Sequence, residues 1–212
     1  MTPQEYYQLI KLFQEEEFSG ELSGDYAVSN NKYTKYAPSY YFRPSDPLMT
    51  QEIVNDLKDK NKKLLSVGCG PAYLERLLVS RLGIKNENVV LADISEEDIP
   101  KGFIFHQFDM HQEWPKLNET LDYIIFPESA LLSLNFPHKF DKSSGDLRQP
   151  KMEEALYNLL TRALNILNSN GQVRLTSLDS YFIRDAVKAR LESKSSNLEM
   201  GYIGEVIYVL KR

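Results

Sequence analysis

Several stretches of this 212-residue chain carry residue types that can do chemistry, and each follows a short apolar run. The first is Gly68-Cys69-Gly70-Pro71-Ala72, set between Leu64, Leu65 and Val67 and the helical spacing of Leu74, Leu77, Leu78 and Leu82. Strand, tight turn and helix in that order present backbone N–H groups and a helix N-terminus above the strand's carboxyl end. The next two are acids: Asp93 ends the β-branched run over residues 88–94, and Asp109 follows the run over residues 103–108. A further run, residues 121–126, leads into Pro127-Glu128-Ser129. A nicotinamide-type fingerprint needs glycine at its first, third and sixth positions, and the sixth here is Tyr73. A Gly-x-Gly-x-small turn fits as written, with Ala72 in the small slot, and so does a glycine turn that holds no ligand. Cys69 reads as a small residue in that turn rather than as a reactive thiol.

Other chemistries lack their residues. His106, His111 and His138 have no metal-ligand spacing with one another or with Cys69, so no metal is expected. There is no Gly-x-Ser-x-Gly elbow and no phosphate-cradling Gly-Lys-Ser/Thr.

The elements that must position these residues alternate. Thr2-Pro3-Gln4-Glu5 reads as a capped helix start with Tyr6, Leu9, Ile10 and Phe13 on one face. Residues 18–44 are irregular but crowded with aromatics, among them Tyr36, Tyr40 and Tyr41, and such a segment must lie on something apolar. Asp46-Pro47 opens a second helix bearing Met49, Ile53, Val54 and Leu57. Residues 151–168 carry the spacing of a helix packed on a sheet, which Asn170-Gly171 closes as a left-handed cap. Val173 and Leu175 begin a fifth strand, residues 181–191 form a weaker helix, and residues 197–210 form two strands turning near Gly201 to Gly204. The expectation is an α/β fold, a doubly wound, mostly parallel sheet with helices on both faces. Residues 1–62 form a helical and tyrosine-rich extension and residues 63–212 the main domain.

Composition sets the outer bounds. Apolar residues make up 42% and charged residues 26% of the chain, ordinary globular values. A net charge of −5 without a polybasic run disfavours a partner bound through phosphates. No apolar run approaches the ~20 residues that span a bilayer, so no membrane partner is expected. The single cysteine excludes an internal disulfide, and a cytosolic (cytoplasmic) setting is the simplest reading. Nothing in the sequence fixes an oligomeric state.

The glycine turn with its acid series resembles the class I S-adenosylmethionine (SAM)-dependent methyltransferases, over roughly residues 64–212. The resemblance implies a Rossmann-like sheet of seven strands, the last inserted antiparallel, with SAM as cofactor. It implies cofactor contacts from Gly68, Cys69, Gly70 and Ala72 at the turn, from Asp93 at the ribose and from Ile94 beside it in sequence. Asp109 and Met110 would stand at the adenine, and Pro127 and Glu128 beside the methyl. Asp93 has a second use open to it, as a cap for the chain that follows; Asp109 and Glu128 have the same alternative. Two departures stand out. Many relatives carry an acid where this chain has Ser66, and a third glycine where it has Ala72, which fits if its φ is negative. Phe126-Pro127-Glu128-Ser129 also replaces the Asn/Asp-Pro-Pro-aromatic motif of the amino-methylating nucleic-acid enzymes, so no nucleic acid is expected and a small-molecule substrate is.

Methyl transfer is governed by in-line placement, which leaves a base optional. Candidates for one are Glu128, His138 or a tyrosine of the extension. Tyr36, Tyr40, Tyr41 and Arg43 are placed on the substrate side, with packing against the helices as their other use. The polar loop over residues 135–149 is expected as a lid. The alternatives are a protein acceptor, another SAM-dependent group transfer, a non-catalytic SAM-binding or regulatory module, and a nicotinamide oxidoreductase.

Overall fold

The computed structural model describes residues 1–19, 22–23, 26–27, 37–96, 99–127, 145–176 and 184–212. Seven strands form one sheet: β1 Leu64–Val67, β2 Val89–Asp93, β3 Ile104–Gln107, β4 Leu121–Phe126, β5 Leu167–Thr176, β6 Leu198–Ile203 and β7 Val206–Lys211. Their order across the sheet is β3-β2-β1-β4-β5-β7-β6. The first five are mutually parallel, and β7 is antiparallel to both β5 and β6. A last strand inserted antiparallel is what the resemblance implied.

The sheet is covered on both faces because its central strands are apolar on both sides. Leu64, Val89, Leu91, Tyr123 and Ile125 pack against helices α1 (Pro3–Glu17), α2 (Gln51–Asp59) and α3 (Tyr73–Ser80), together with Phe18 and the 3₁₀ turn Pro38–Phe42. Leu65, Val67, Val90, Ala92, Ile124 and Phe126 pack against α4 (Gly145–Ile166) and α5 (Arg184–Lys194). The early residues therefore share the apolar cluster of the main sheet. Arg174 of β5, 7% exposed, ties the two together by donating to the Pro47 carbonyl at 2.7 Å.

Helix α1 starts as expected, with Thr2 and Glu5 capping each other's backbone. Three boundaries differ. Helix α2 begins at Gln51 under a Thr50 cap, not at Asp46-Pro47. Helix α4 begins at Gly145, so residues 145–149 belong to it rather than to a loop. That helix ends at Ile166, and Asn170-Gly171 lies inside β5. Asn170 is left-handed as expected (φ 64), but it serves a register shift between β4 and β5 instead of a helix cap. A Cβ on Gly171 would stand 2.9 Å from the Asp122 carbonyl, which explains the glycine. Helix α5 is described over Arg184–Lys194, and residues 181–183, where it was expected to start, lie outside the described residues. Gly201 sits within β6, and the hairpin turns at Gly204. No helix among the described residues is long and apolar enough to cross a membrane.

Candidate cofactor site

The glycine turn leaves the carboxyl end of β1, the central strand, and enters α3 at Tyr73. Gly68 (φ 74), Gly70 (φ 53) and Ala72 (φ 54) are all left-handed. Two of the three are glycine, which has no Cβ to object. The third does not meet the condition of a negative φ under which alanine would fit: Ala72 adopts a conformation that disfavours an L side chain. The turn is stitched to the neighbouring strand, since the N–H groups of Gly68 and Cys69 both donate to the Ala92 carbonyl, at 2.8 and 3.4 Å. Inside the turn, the Ala72 N–H donates to the Cys69 carbonyl at 3.0 Å. Cys69 is 7% exposed, consistent with a small packed residue.

Asp93 is brought onto this turn. Its Oδ2 accepts from the Gly70 N–H at 2.8 Å, and its Oδ1 accepts from the N–H of Ile94 at 2.7 Å and of Ser95 at 3.4 Å. The carboxylate thus braces the turn and caps the chain that follows it. Ile94, next in sequence, is 67% exposed, an apolar side chain open to solvent beside polar backbone. Met110 comes from the other side. Its methyl lies 2.9 Å from where a Cβ on Gly68 would be, so glycine there admits Met110 as well as the left-handed bend.

Asp109 turns its carboxylate to the His111 N–H at 2.9 Å, holding the loop after β3. Sequence reasoning passed over Trp114, which secures the same loop. Its indole N–H donates to the Met110 carbonyl at 2.9 Å, and its ring meets Phe108 and Phe126 at 5.2 and 6.2 Å between centroids. A lone tryptophan in a polar stretch gave no periodic signal. It also passed over Glu75, whose carboxylate accepts from the Ser66 hydroxyl with both groups buried.

Pro127 is buried at the end of β4. Glu128, His138 and Tyr36 lie outside the described residues. Tyr40 and Tyr41 are 7% and 4% exposed within the cluster formed by α1, α2 and α3, so packing is the use the structure describes for them. The Arg43 guanidinium stacks on the Tyr40 ring at 4.3 Å. His106 is a strand residue within 3.3 Å of Glu119, and no group of three or more His, Cys, Asp or Glu able to hold a metal occurs among the described residues.

No family model and no curated protein matches the sequence. Solved structures are similar to it in fold. A sugar N-methyltransferase from Streptoalloteichus aligns with a TM-score of 0.50 and 10% identity, over 90% of this chain and 98% of that one. A methyltransferase from Pyrococcus furiosus aligns at 0.49 with 14% identity, over 97% and 96%. A SAM-bound amino pentose methyltransferase from Micromonospora echinaspora aligns at 0.45 with 13% identity, over 76% and 88%. At such identities the likeness is one of fold, and the fold is that of the class I SAM-dependent methyltransferases.

Proposed function

We propose that this protein binds SAM at the turn between β1 and α3 and transfers its methyl group to a small molecule. The observation that carries the reading is the meeting of a left-handed glycine turn with the Asp93 carboxylate, where the sheet's connections diverge to either side of β1. Ligands of open α/β sheets lie in that crevice. The residues fit the cofactor's parts. Gly68 and Gly70 let backbone approach closely, and the first turn of α3 offers N–H groups to a carboxylate. Asp93 would hold the ribose, and Ile94 and Met110 would flank the adenine, with Asp109 at its amino group.

When bound, SAM supplies an electrophilic methyl on a sulfonium. The protein's part is to hold that methyl and the acceptor in line, which alone removes much of a bimolecular barrier. No general base is assigned. The small-molecule acceptor follows from the net charge of −5 and from Phe126-Pro127 standing where amino-methylating nucleic-acid enzymes carry a different motif. One observation favours a rival in which Asp93 only braces the loop: both its oxygens already accept backbone N–H groups.

Calorimetry separates these. Wild-type protein should bind SAM and S-adenosylhomocysteine (SAH), and Asp93→Ala should weaken both about tenfold or more, the scale of losing one or two hydrogen bonds to a charged group. No uptake by the wild type removes the function. Equal uptake by Asp93→Ala leaves the cofactor and removes Asp93 from its site. Labelled methyl from SAM appearing on RNA or peptides rather than on small amines, alcohols or acids would overturn the acceptor class.

A further inference from the structure

Helix α4 ends where β5 starts, at Ile166 and Leu167, so its last turns lie at the amino ends of the parallel strands. Strands β5 and β6 are both antiparallel to β7, which puts Leu198, the start of β6, at the same edge. A cavity of about 120 Å³ opens there, between Tyr157, Thr161 and Leu164 of α4, Leu191 and Lys194 of α5, and Leu198. The glycine turn follows the carboxyl end of β1 and lies at the opposite edge of the sheet.

The floor is apolar, with Leu164 6% and Leu191 3% exposed. Its volume suits a single ring or a short chain, since benzene occupies an apolar cavity of about 150 Å³. The other end is polar. Tyr157 is 3% exposed, and its buried hydroxyl meets no partner in hydrogen-bond geometry. A donor left unmade in the interior is destabilising, and phenylalanine would fill the space without that penalty. Beside it, the Lys194 ammonium stands 4.9 Å from the ring centroid and makes no ion pair among the described residues. An ammonium only donates, so it gives the hydroxyl proton no acceptor. A negatively charged acceptor would satisfy both groups.

The surrounding charges leave one positive unit to be met. Arg190 stacks on the Tyr157 ring at 3.6 Å but is paired with Glu154, and Lys188 stands 3.9 Å from Glu192. Lys211 donates to the carbonyls of Leu164 and Leu167 at 2.9 and 2.7 Å, which offsets the negative end of α4. The end of α5 sets about half a negative charge against the full charge of Lys194. The balance favours a monoanion.

We infer that this cavity binds a small monocarboxylate whose apolar body is one ring or a short chain. The body lies on Leu164, Leu191 and Leu198, and the carboxylate accepts from the Tyr157 hydroxyl and the Lys194 ammonium. The site is separate from the cofactor crevice and stands or falls without the SAM reading.

Sodium benzoate titrated into the full chain tests it, followed through backbone amide shifts by nuclear magnetic resonance. Benzyl alcohol serves as the uncharged match and acetate as the head without a body. Benzoate should give saturable shifts at Thr161, Lys194 and Leu198 with a Kd of about 1 mM, and the other two should bind about tenfold more weakly or worse. Lys194→Met keeps the apolar stem and should weaken benzoate about tenfold while leaving the alcohol unchanged. Tyr157→Phe should move two readouts in opposite directions. Its denaturant midpoint without ligand should equal or exceed that of the wild type, while benzoate affinity falls about fivefold or more. A lower midpoint together with a lower affinity would mean packing alone and overturns the inference. Benzoate shifts that fail to saturate, that match those of the alcohol, or that fall only at Gly68–Ala72 overturn it as well. So does undiminished benzoate affinity in Lys194→Met, which decides alone if Tyr157→Phe does not fold.

Discussion

Ala72 places a methyl group where the backbone is left-handed, with φ 54 and ψ 39, and buries it completely. An L side chain in that conformation costs about 1–2 kcal/mol. Glycine would relieve the strain, yet it would forfeit a buried methyl of about 0.8 kcal/mol and add about 0.5–1 kcal/mol of chain entropy to be lost on folding. The terms nearly cancel, so Ala72→Gly should change unfolding free energy by less than about 1 kcal/mol, read from urea denaturation. Ala72→Val should lose more than about 2 kcal/mol, because a β-branched residue is an outlier at this φ and the site has no room. A large gain from glycine, or a tolerated valine, would mean the turn is not left-handed there. The near-cancellation also explains how alanine can occupy a slot where glycine is the usual choice.

At the level of elements, the sequence disclosed what periodicity encodes and concealed what distance creates. Strand, turn and helix around Gly68 were legible because apolar spacing switches there from two to three or four residues. Asp93 was legible as an acid ending a strand. Helix α4 was read from residue 151, where the apolar spacing begins, whereas the structure carries the helix through Pro150 from Gly145. Glu75 stayed hidden because the buried stripe of α3 was read from its leucines, and a glutamate among them passes for solvent-facing. Asp46 was read as opening a helix, but its Oδ1 instead accepts from the Glu205 N–H at 2.7 Å at the β6–β7 hairpin. No local pattern could reveal a bond 159 residues long in sequence. That contact predicts a sensitive glycine. A Cβ on Gly204 (φ 57) would collide with the Asp46 carboxylate and the Ser45 carbonyl. Gly204→Ala should therefore cost at least about 2 kcal/mol, strain and collision together. It should also speed amide exchange at Glu205, while an unaltered exchange rate would show that Asp46 does not dock there.

Across the whole molecule, one polar knot joins the early helices to the sheet. Asp56 of α2, 5% exposed, accepts from the Tyr123 hydroxyl of β4 at 2.6 Å and pairs with Lys60 and Lys62 at 2.7 and 3.0 Å. Burial pushes its carboxyl up, but hydrogen bonds from Lys60, Tyr123 and Lys62 outweigh that and bring it from the ordinary 3.8 down to about 2. Burial, and then the hydrogen bond to Asp56, push the Tyr123 phenol the other way, well above its ordinary range. A carboxyl that is more acidic folded than unfolded contributes its full stability above the unfolded value. That contribution fades as pH falls from about 4 to about 2, where the folded group takes up its proton. Because Asp56 sits on α2, which packs with α1 and α3 in one apolar cluster on the sheet, its protonation loosens the attachment of α2 to the sheet rather than one surface pair. Asp56→Asn should be less stable than the wild type at neutral pH, with a flatter dependence between pH 4 and pH 2 and a curve that meets the wild type's at the acid end. Parallel curves for the two proteins over that range, in denaturant midpoints taken every half unit of pH, would show that this knot does not tie the two parts together.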